Sequence, residues 1–243
     1  MADSEPKVAL LAGASGLVGS HVLDALLNAS DFSRVFAVTR RPLGRDHPRL
    51  ANRIVQFDRL EEQLKGLACH TAFCCLGTTL RAAGSEQELR AVELGYVVAF
   101  ARAARAGNAQ RFVLLSCAGV GESRSAHLVL KAQAEQAVTA LGFPTLDVLL
   151  PGPLLGLRRE IRPADLARGL TLPLVNVFLT GTRESRRAIS ARTVAAAMLG
   201  VTRSGRRGAN RYTYSAIRAQ AALKSAARAT PPAAKSASRP RAG

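Results

Sequence analysis

Several features that mark membrane and secreted proteins are missing from this 243-residue sequence. It has no apolar run of about 18 residues or more, which predicts that no helix spans a membrane. Its first ten residues are polar and then enter an apolar run, without the charged and apolar parts of a secretory leader. We therefore expect a cytoplasmic protein.

Cysteine and histidine are also scarce, with four residues of each type. The cysteines, Cys69, Cys74, Cys75 and Cys117, lie in or beside apolar strand-like runs and lack the paired spacing of metal ligands. The histidines are scattered, so no zinc site can be assembled from the sequence. We interpret the cysteines as reduced thiols in the core of a cytoplasmic protein.

Acidic residues are half as numerous as basic ones, 17 against 34, and the formal net charge is +17. Residues 215–243 contain six basic residues and no acid among Ala, Ser and Pro. We predict a disordered basic tail here, or at most a frayed helix near residues 219–228. Such a tail can contact nucleic acid weakly and without sequence preference, although it has no aromatic residue to stack on bases. We favour a solvated extension without a partner over such a contact.

The most informative segment that is present covers residues 7–19. An apolar run is followed by three glycines at intervals of three and then by an amphipathic segment. This strand–turn–helix pattern is typical of a dinucleotide-binding loop, with the phosphates at the helix N-terminus. A glycine-rich turn without a ligand is the alternative. The predicted cofactor-binding residues of the loop are Gly13, Ser15, Gly16, Leu17, Val18 and Gly19.

Strand-like and helix-like segments alternate through the first 155 residues. The strand-like runs are continuously apolar, as in a parallel sheet covered on both faces. The predicted fold class is α/β, a doubly wound parallel sheet of the Rossmann type. We expect a dinucleotide-binding domain over 1–155, a small substrate-side lobe over 156–214 that completes the fold, and the disordered basic tail over 215–243.

Some predicted elements are specific enough to compare with a structure. The third strand is predicted over 54–57, and one long helix over 86–106. An apolar stretch at 170–179 is predicted to be a helix of the small lobe, and contact with a membrane or a partner is the alternative. The unusual loop residues all follow strands, at the carboxyl ends where ligands of such sheets bind. These residues are Gly13, Arg40, Asp58, Gly77, Ser116 and Pro151.

The residues after the second strand indicate which nicotinamide cofactor binds. An acid there would bind the ribose hydroxyls of NAD, but the sequence has Arg40 and Arg41. Two guanidinium groups suit an extra 2′-phosphate, so we predict that NADP(H) is preferred over NAD(H). A solvated loop is the alternative for the two arginines. Asp58 is predicted either to contact the adenine amino group or to cap a helix.

Four segments together resemble the short-chain dehydrogenase/reductase superfamily. They are the glycine loop, Arg40-Arg41, the run Phe73-Cys-Cys-Leu-Gly-Thr-Thr79, and Lys131-x-x-x-Glu135. The Phe73–Thr79 run is the most specific and is similar to the atypical branch that includes the Tat-interacting oxidoreductase-like proteins. The resemblance covers roughly residues 7–200 and implies a Rossmann fold that binds NADP(H). The further cofactor contacts that it implies are Leu76, Gly77, Thr78, Lys131 and Pro151.

Catalytic members of the superfamily use a Ser together with a Tyr-x-x-x-Lys pair, whose spacing places both side chains on one helix face. Here Lys131 falls at the Lys position, but His127 stands where the family has Tyr. Ser116 falls at the Ser position and is followed by Cys117, where a second Ser is usual. The resemblance implies that Ser116 and His127 polarise a carbonyl while Lys131 holds the nicotinamide ribose.

Two functions are open on the sequence alone. One is an NADP(H)-dependent oxidoreductase acting on a small carbonyl or hydroxyl substrate. The other is a catalytically silent NADP(H)-binding regulatory or scaffold protein with a protein partner. The replaced tyrosine favours the second function, in which His127 is a polar surface residue of its helix.

Overall fold

The computed structural model of the protein describes residues 7–122, 125–155 and 187–228, with side chains up to residue 223. The strands are β1 Lys7–Ala12, β2 Phe32–Thr39, β3 Leu50–Ile54, β4 Thr71–Cys74, β5 Arg111–Leu115, β6 Thr145–Leu149, β7 Leu154–Leu155, β8 Ile189–Ser190 and β9 Gly208–Tyr212. The α-helices are α1 Leu17–Leu27, α2 Leu60–Gln63, α3 Leu80–Ala83, α4 Glu86–Arg90, α5 Tyr96–Ala106, α6 Ala126–Ala140, α7 Ala191–Gly200 and α8 Tyr214–Arg228.

Seven of the described strands form one parallel sheet in the order β3-β2-β1-β4-β5-β6-β9. Successive residues of β1 point to opposite faces, so Leu11 packs in one core and Leu10 in the other. The first core contains α1, α7 and α8, and the second contains α2, α5 and α6. This doubly wound sheet confirms the predicted Rossmann-type fold.

The strand order reverses between β1 and β4, which are neighbours in the sheet. The loops that follow these two strands touch, since a Cβ atom on Gly13 would lie 2.5 Å from the carbonyl oxygen of Cys75. Doubly wound sheets bind ligands in the crevice at this reversal. The fold therefore places the glycine loop and the Phe73–Thr79 run at one position.

The third strand occupies Leu50–Ile54 rather than the predicted residues 54–57. It is an edge strand whose residues are exposed or half-buried, and it includes the polar Asn52 and Arg53, so its apolar pattern is weak. The apolar residues that suggested a strand, Val55 and Phe57, are buried after its end. Phe57 begins a short 3-10 turn, Phe57–Arg59.

The C-terminal part of the described chain completes the sheet. β9 pairs with β6, and α8 packs on α7. The helix foreseen near residues 219–228 begins earlier, at Tyr214, so the boundary set at residue 215 falls inside it. A Cβ atom on Gly200 would lie 2.2 Å from the carbonyl oxygen of Gln220, and this close approach buries Ile217 completely.

A buried polar cluster ties β9 to the sheet. Asp147 of β6 is fully buried and accepts hydrogen bonds from Arg111 at 2.8 Å, Asn210 at 3.1 Å and the Tyr212 hydroxyl at 3.0 Å. Burial raises the pKa of Asp147 above its ordinary value, although Arg111 and the other two donors act in the opposite direction. Because Asp147 accepts the hydrogen bond of the Tyr212 hydroxyl, Tyr212 can lie in the core at the end of β9.

The four cysteines are free thiols. Burial raises the pKa of Cys69 and of Cys74 to about 12, and it also raises the pKa of Cys75 and of Cys117. These thiols are therefore protonated at neutral pH, which makes them poor nucleophiles. Among the described residues, no group of side chains has the arrangement of a metal site.

Some predictions concern residues outside the described part of the chain. They are the lobe helix at 170–179, the rest of the lobe over 156–186, and the end of the basic tail, 229–243, with its weak nucleic-acid contact. Within the described ranges, no helix is both long and apolar enough to cross a membrane.

Candidate dinucleotide and acid–base site

The glycine loop turns tightly between β1 and α1. Gly13 has a φ of +83°, which L side chains rarely adopt, and its carbonyl accepts a hydrogen bond from Gly16 N–H at 2.9 Å. A Cβ atom on Gly19 would lie 1.9 Å from the Gly13 oxygen. The first turn of α1 therefore lies directly against the loop, and only glycine at position 19 permits this contact.

The N-terminus of α1 fits an anionic ligand. Ser15 and Gly16 are exposed, the first turn contains no acid, and no side chain caps the helix. Its backbone N–H groups are therefore available to a phosphate, which the helix dipole also favours. Leu17 is half-buried and Val18 is buried, so these two residues hold the turn in place from the core side.

Arg40 and Arg41 follow β2, and both are exposed. Neither forms an ion pair with another described residue. Asn52 of β3 supports their loop, since it donates to Thr39 Oγ1 at 2.7 Å and accepts from Leu43 N–H at 2.9 Å. Asn52 was not predicted from the sequence to support this loop. Its only signal was that it is a polar amide residue within an edge strand.

The predicted site residues that follow β3, β4 and β6 lie at the same edge of the sheet. Asp58 is exposed within the 3-10 turn, whose N-cap is Gln56, so the capping role considered for Asp58 is not observed. After β4, Leu76 is half-buried and Gly77 is exposed. Pro151 is buried after β6, and its carbonyl accepts a hydrogen bond from Ala118 N–H at 2.8 Å.

A buried carboxylate that the sequence had not predicted lies between these loops and α6. The side chain of Glu93 is fully buried, and its Oε1 accepts a hydrogen bond from Thr78 N–H. Lys131 Nζ lies 2.9 Å from Oε2, and His127 Nε2 lies 3.4 Å from Oε1. The structure therefore brings two of the three predicted catalytic residues to one carboxylate.

Glu93 carries a negative charge at neutral pH. Burial alone would raise its pKa, but the contacts with His127, Lys131 and Thr78 N–H together hold the pKa of Glu93 below its ordinary value. The Lys131 contact is an ion pair rather than an aligned hydrogen bond, because Oε2 has no hydrogen-bond partner of suitable geometry among the described residues.

A local irregularity of the helix carries Glu93. The predicted helix over 86–106 is present, but a π turn, Ala91–Gly95, separates α4 from α5. Such turns occur frequently at functional sites. Glu93 lies four residues after Leu89 and four before Val97, both of which are buried. A charge on this apolar stripe is the signal that could have identified Glu93 from the sequence.

His127 and Lys131 lie one turn apart on α6, which Ser125 caps by accepting a hydrogen bond from Leu128 N–H. The Lys131 side chain is 12% exposed, whereas that of His127 is 35% exposed. His127 therefore contacts the buried carboxylate and also reaches the surface, where a substrate can approach it.

Ser116 is close to this pair but has a different partner. It borders the same small cavity as Glu93 and Lys131. Its hydroxyl donates a hydrogen bond to Oε1 of Glu135, whose Oε2 forms an ion pair with Arg211 at 2.5 Å. The sequence had not identified Arg211, which the pairing of β9 with β6 brings to this position.

Sequence comparisons with known proteins show which family this fold and its glycine loop belong to. The model of the NAD dependent epimerase/dehydratase family matches residues 9–138. Protein HTATIP2 of Rattus norvegicus is 36% identical over 79% of this chain and 80% of its own length. The mitochondrial protein fmp52 of Aspergillus fumigatus is 35% identical over 65% of this chain and 70% of its own length.

A solved structure shows the same fold at low sequence identity. The Bordetella bronchiseptica enzyme WbmH in complex with NAD+ has a TM-score of 0.65 and 16% identity. The similarity covers 95% of this chain and 85% of WbmH.

The expectation of a cytoplasmic protein is wrong, because the FMP52 relatives from three fungi are named as mitochondrial proteins. Buried thiols remain protonated and reduced in more than one compartment, so cysteine usage could not separate the cytoplasm from other reducing environments.

The family match covers more than half of the chain, and the HTATIP2 match covers most of it. The loop geometry and the family both support a nicotinamide dinucleotide as the cofactor. This chain belongs to the NAD-dependent epimerase/dehydratase family.

Proposed function

We propose that this protein is an NADP(H)-dependent oxidoreductase that interconverts a small carbonyl compound and the corresponding alcohol. One observation carries the proposal. His127 and Lys131 meet the buried Glu93 directly beside the loop that contains Thr78. A proton-transfer group and a fixed cation are thereby adjacent to a predicted cofactor-binding loop, as such a reaction requires.

The residues at the edge of the sheet fit the parts of a nicotinamide dinucleotide. Backbone N–H groups of Leu17 and Val18 at the start of α1 would hold the pyrophosphate, and Asp58 would contact the adenine. Arg40 and Arg41 would bind the 2′-phosphate, since both are exposed and have no ion-pair partner among the described residues. When bound, NADPH supplies the hydride that is added to the carbonyl carbon.

The side chains of α6 complete the reaction. His127 donates a proton to the carbonyl oxygen, which balances the added hydride and yields the alcohol. Lys131 binds the ribose hydroxyls and places a positive charge near the oxygen on which negative charge develops. In the oxidative direction, His127 accepts the proton.

The cofactor preference can be tested on the arginine pair. Replacing Arg40 and Arg41 together with Ala should weaken NADPH binding by about 10- to 100-fold, because charge-assisted hydrogen bonds to the phosphate are lost. NADH binding should change by less than about twofold. Fluorescence titration measures both affinities. Arg34→Ala, an exposed arginine near the other end of β2, is the matched control. Equal wild-type affinities for NADPH and NADH would contradict the preference.

A catalytically silent NADP(H)-binding protein is the second candidate. It is favoured by the Ser116 hydroxyl, which donates to Glu135 and must release it before it can polarise a substrate. NADPH oxidation should be measured over a panel of small aldehydes and ketones with the wild type and His127→Ala. Turnover that falls by about 100-fold or more in His127→Ala supports the oxidoreductase. Tight NADPH binding without turnover of any carbonyl supports the silent protein.

A further inference from the structure

We propose that Glu93 is a positioning residue that holds Nε2 of His127 and thereby leaves Nδ1 as the atom that transfers the proton. This inference rests on the proposed oxidoreductase function, and it names a residue and an atom of the same site. Catalytic relatives with a Tyr-x-x-x-Lys pair have one hydroxyl for proton transfer, whereas an imidazole has two nitrogens. With His127, one nitrogen must be selected.

The contacts of the imidazole determine which nitrogen is selected. Nε2 lies 3.4 Å from Oε1 of Glu93, whose side chain is fully buried. A nitrogen that faces a buried carboxylate cannot also reach a substrate. The remaining ring nitrogen, Nδ1, belongs to a side chain that is 35% exposed.

The charge of Glu93 makes this orientation persist through the reaction. A carboxylate only accepts hydrogen bonds, so it requires a hydrogen on Nε2 in both the neutral and the charged imidazole. Neutral His127 then has a bare Nδ1, and charged His127 has a hydrogen on both nitrogens. A carboxylate in this position holds the tautomer and stabilises the imidazolium, as the aspartate does in serine-protease triads.

Glu93 also links the proton donor to the predicted cofactor-binding loop. Its carboxylate accepts the Thr78 N–H, and a Cβ atom on Gly77 would lie 3.4 Å from its Oε1. Lys131 contacts its other oxygen. Glu93 thus sets the distance of His127 and of Lys131 from the loop after β4. A displacement of Glu93 would move His127, Lys131 and this loop relative to one another.

The proton balance of the reducing step follows from this arrangement. The Nδ1–H bond of charged His127 breaks, and the proton bonds to the carbonyl oxygen while the hydride bonds to the carbon. The ring becomes neutral and keeps its Nε2–H against Glu93. Water then returns a proton to Nδ1.

The position of His127 can be tested by NMR spectroscopy without any substrate. In the full chain labelled with 15N-histidine, the His127 signals are assigned by their loss in His127→Gln. We expect a His127 Nε2–H that exchanges with water more slowly than the ring N–H of exposed His70. In Glu93→Gln, the loss of the charge should shift this proton upfield and speed its exchange. Glu86→Gln, at an exposed position on α4, should leave the spectrum unchanged.

Two spectral outcomes would overturn the inference. One is a wild-type His127 whose hydrogen is on Nδ1, and the other is an Nε2–H signal that Glu93→Gln does not change. If Glu93→Gln does not fold, Glu93→Asp keeps the charge but shortens the side chain, and it should weaken the same signal.

Kinetics separate this inference from the proposed function. With a carbonyl that the wild type reduces, Glu93→Gln should lower kcat by about 10- to 100-fold, because a poorly oriented His127 loses part of the contribution of general acid catalysis. The loss in kcat should exceed any rise in the KM for NADPH, and Glu93→Asp should restore part of kcat. A kcat that Glu93→Gln leaves unchanged would overturn the positioning role. Absence of turnover in the wild type would instead refute the oxidoreductase proposal, while the NMR spectra would still decide the orientation of His127.

Discussion

At the scale of single residues, two buried carboxylates respond in opposite ways to burial. The pKa of Asp147 is raised by burial despite Arg111 and two other donors. The pKa of Glu93 is lowered, because His127, Lys131 and a backbone N–H outweigh its burial. The balance between burial and the contacts of each group therefore decides the direction in which its pKa shifts.

The lowered pKa of Glu93 predicts a pH-dependent contribution to stability. A carboxyl group whose pKa is lower in the folded state stabilises the fold above the ordinary glutamate value of 4.5. That stability is lost as the pH falls through the lower folded value. The difference in unfolding free energy between the wild type and Glu93→Gln should therefore shrink in acid. Urea denaturation at several pH values between about 7 and 3 measures it.

An exposed glutamate provides the control for this measurement. Glu86 is exposed and has no ion pair with another described residue, so Glu86→Gln should change the unfolding free energy by less than about 0.5 kcal/mol. A constant difference for Glu93→Gln over the same pH range would contradict the charge assigned to Glu93.

At the scale of elements, the strength of the sequence signal followed the burial of each element. β1 is buried on both faces and has a continuous apolar run, so its position and the loop after it could be predicted. β3 and β9 lie at the two edges of the sheet and contain mainly exposed or half-buried residues. Edge strands lack a distinctive apolar pattern, which explains why β3 was misplaced and β9 was not predicted.

The junction of β1 with α1 allows a sharp test of the glycine loop. Gly19→Ala should destabilise the protein by about 1–3 kcal/mol and weaken NADPH binding, because its Cβ atom would overlap the Gly13 carbonyl. Gly95→Ala is the matched control, since that glycine is helical and has no atom within 4 Å of a Cβ position. It should be neutral or stabilising by up to about 1 kcal/mol. Wild-type NADPH affinity in Gly19→Ala would contradict the loop's predicted role.

At the scale of the whole molecule, the C-terminal elements are part of one fold with the glycine loop. α7 and α8 cover the same face of the sheet as α1. β9 carries Arg211, which pairs with the Glu135 that accepts the Ser116 hydrogen bond. A segment distant in sequence therefore supports the site.

Burial of α8 predicts that the fold extends past residue 215. Ile217→Ala should lower the unfolding free energy by about 2–5 kcal/mol, because Ile217 is fully buried against the core that contains α7. Leu223→Ala, on the same helix but 52% exposed, should change it by less than about 0.5 kcal/mol. Urea denaturation of both variants measures the difference. Equal effects of the two substitutions would show that α8 does not pack as described.

Local sequence patterns were sufficient to predict the fold class and the position of the glycine loop. Gly13, Gly16 and Gly19 lie within seven residues of the chain, so their spacing alone indicates a tight turn before a helix. The spacing of His127 and Lys131 likewise placed both on one helix face. A local sequence pattern is sufficient to predict a structural feature when that feature is formed by residues close together in the chain.

The partners of these residues could not be predicted before the folded structure was known. Glu93 meets Thr78, His127 and Lys131 because a π turn and three separate chain segments converge at the sheet edge. Ser116 binds Glu135 rather than the α6 pair for the same reason. Such contacts depend on the packing of distant segments, which leaves no periodic pattern in the sequence.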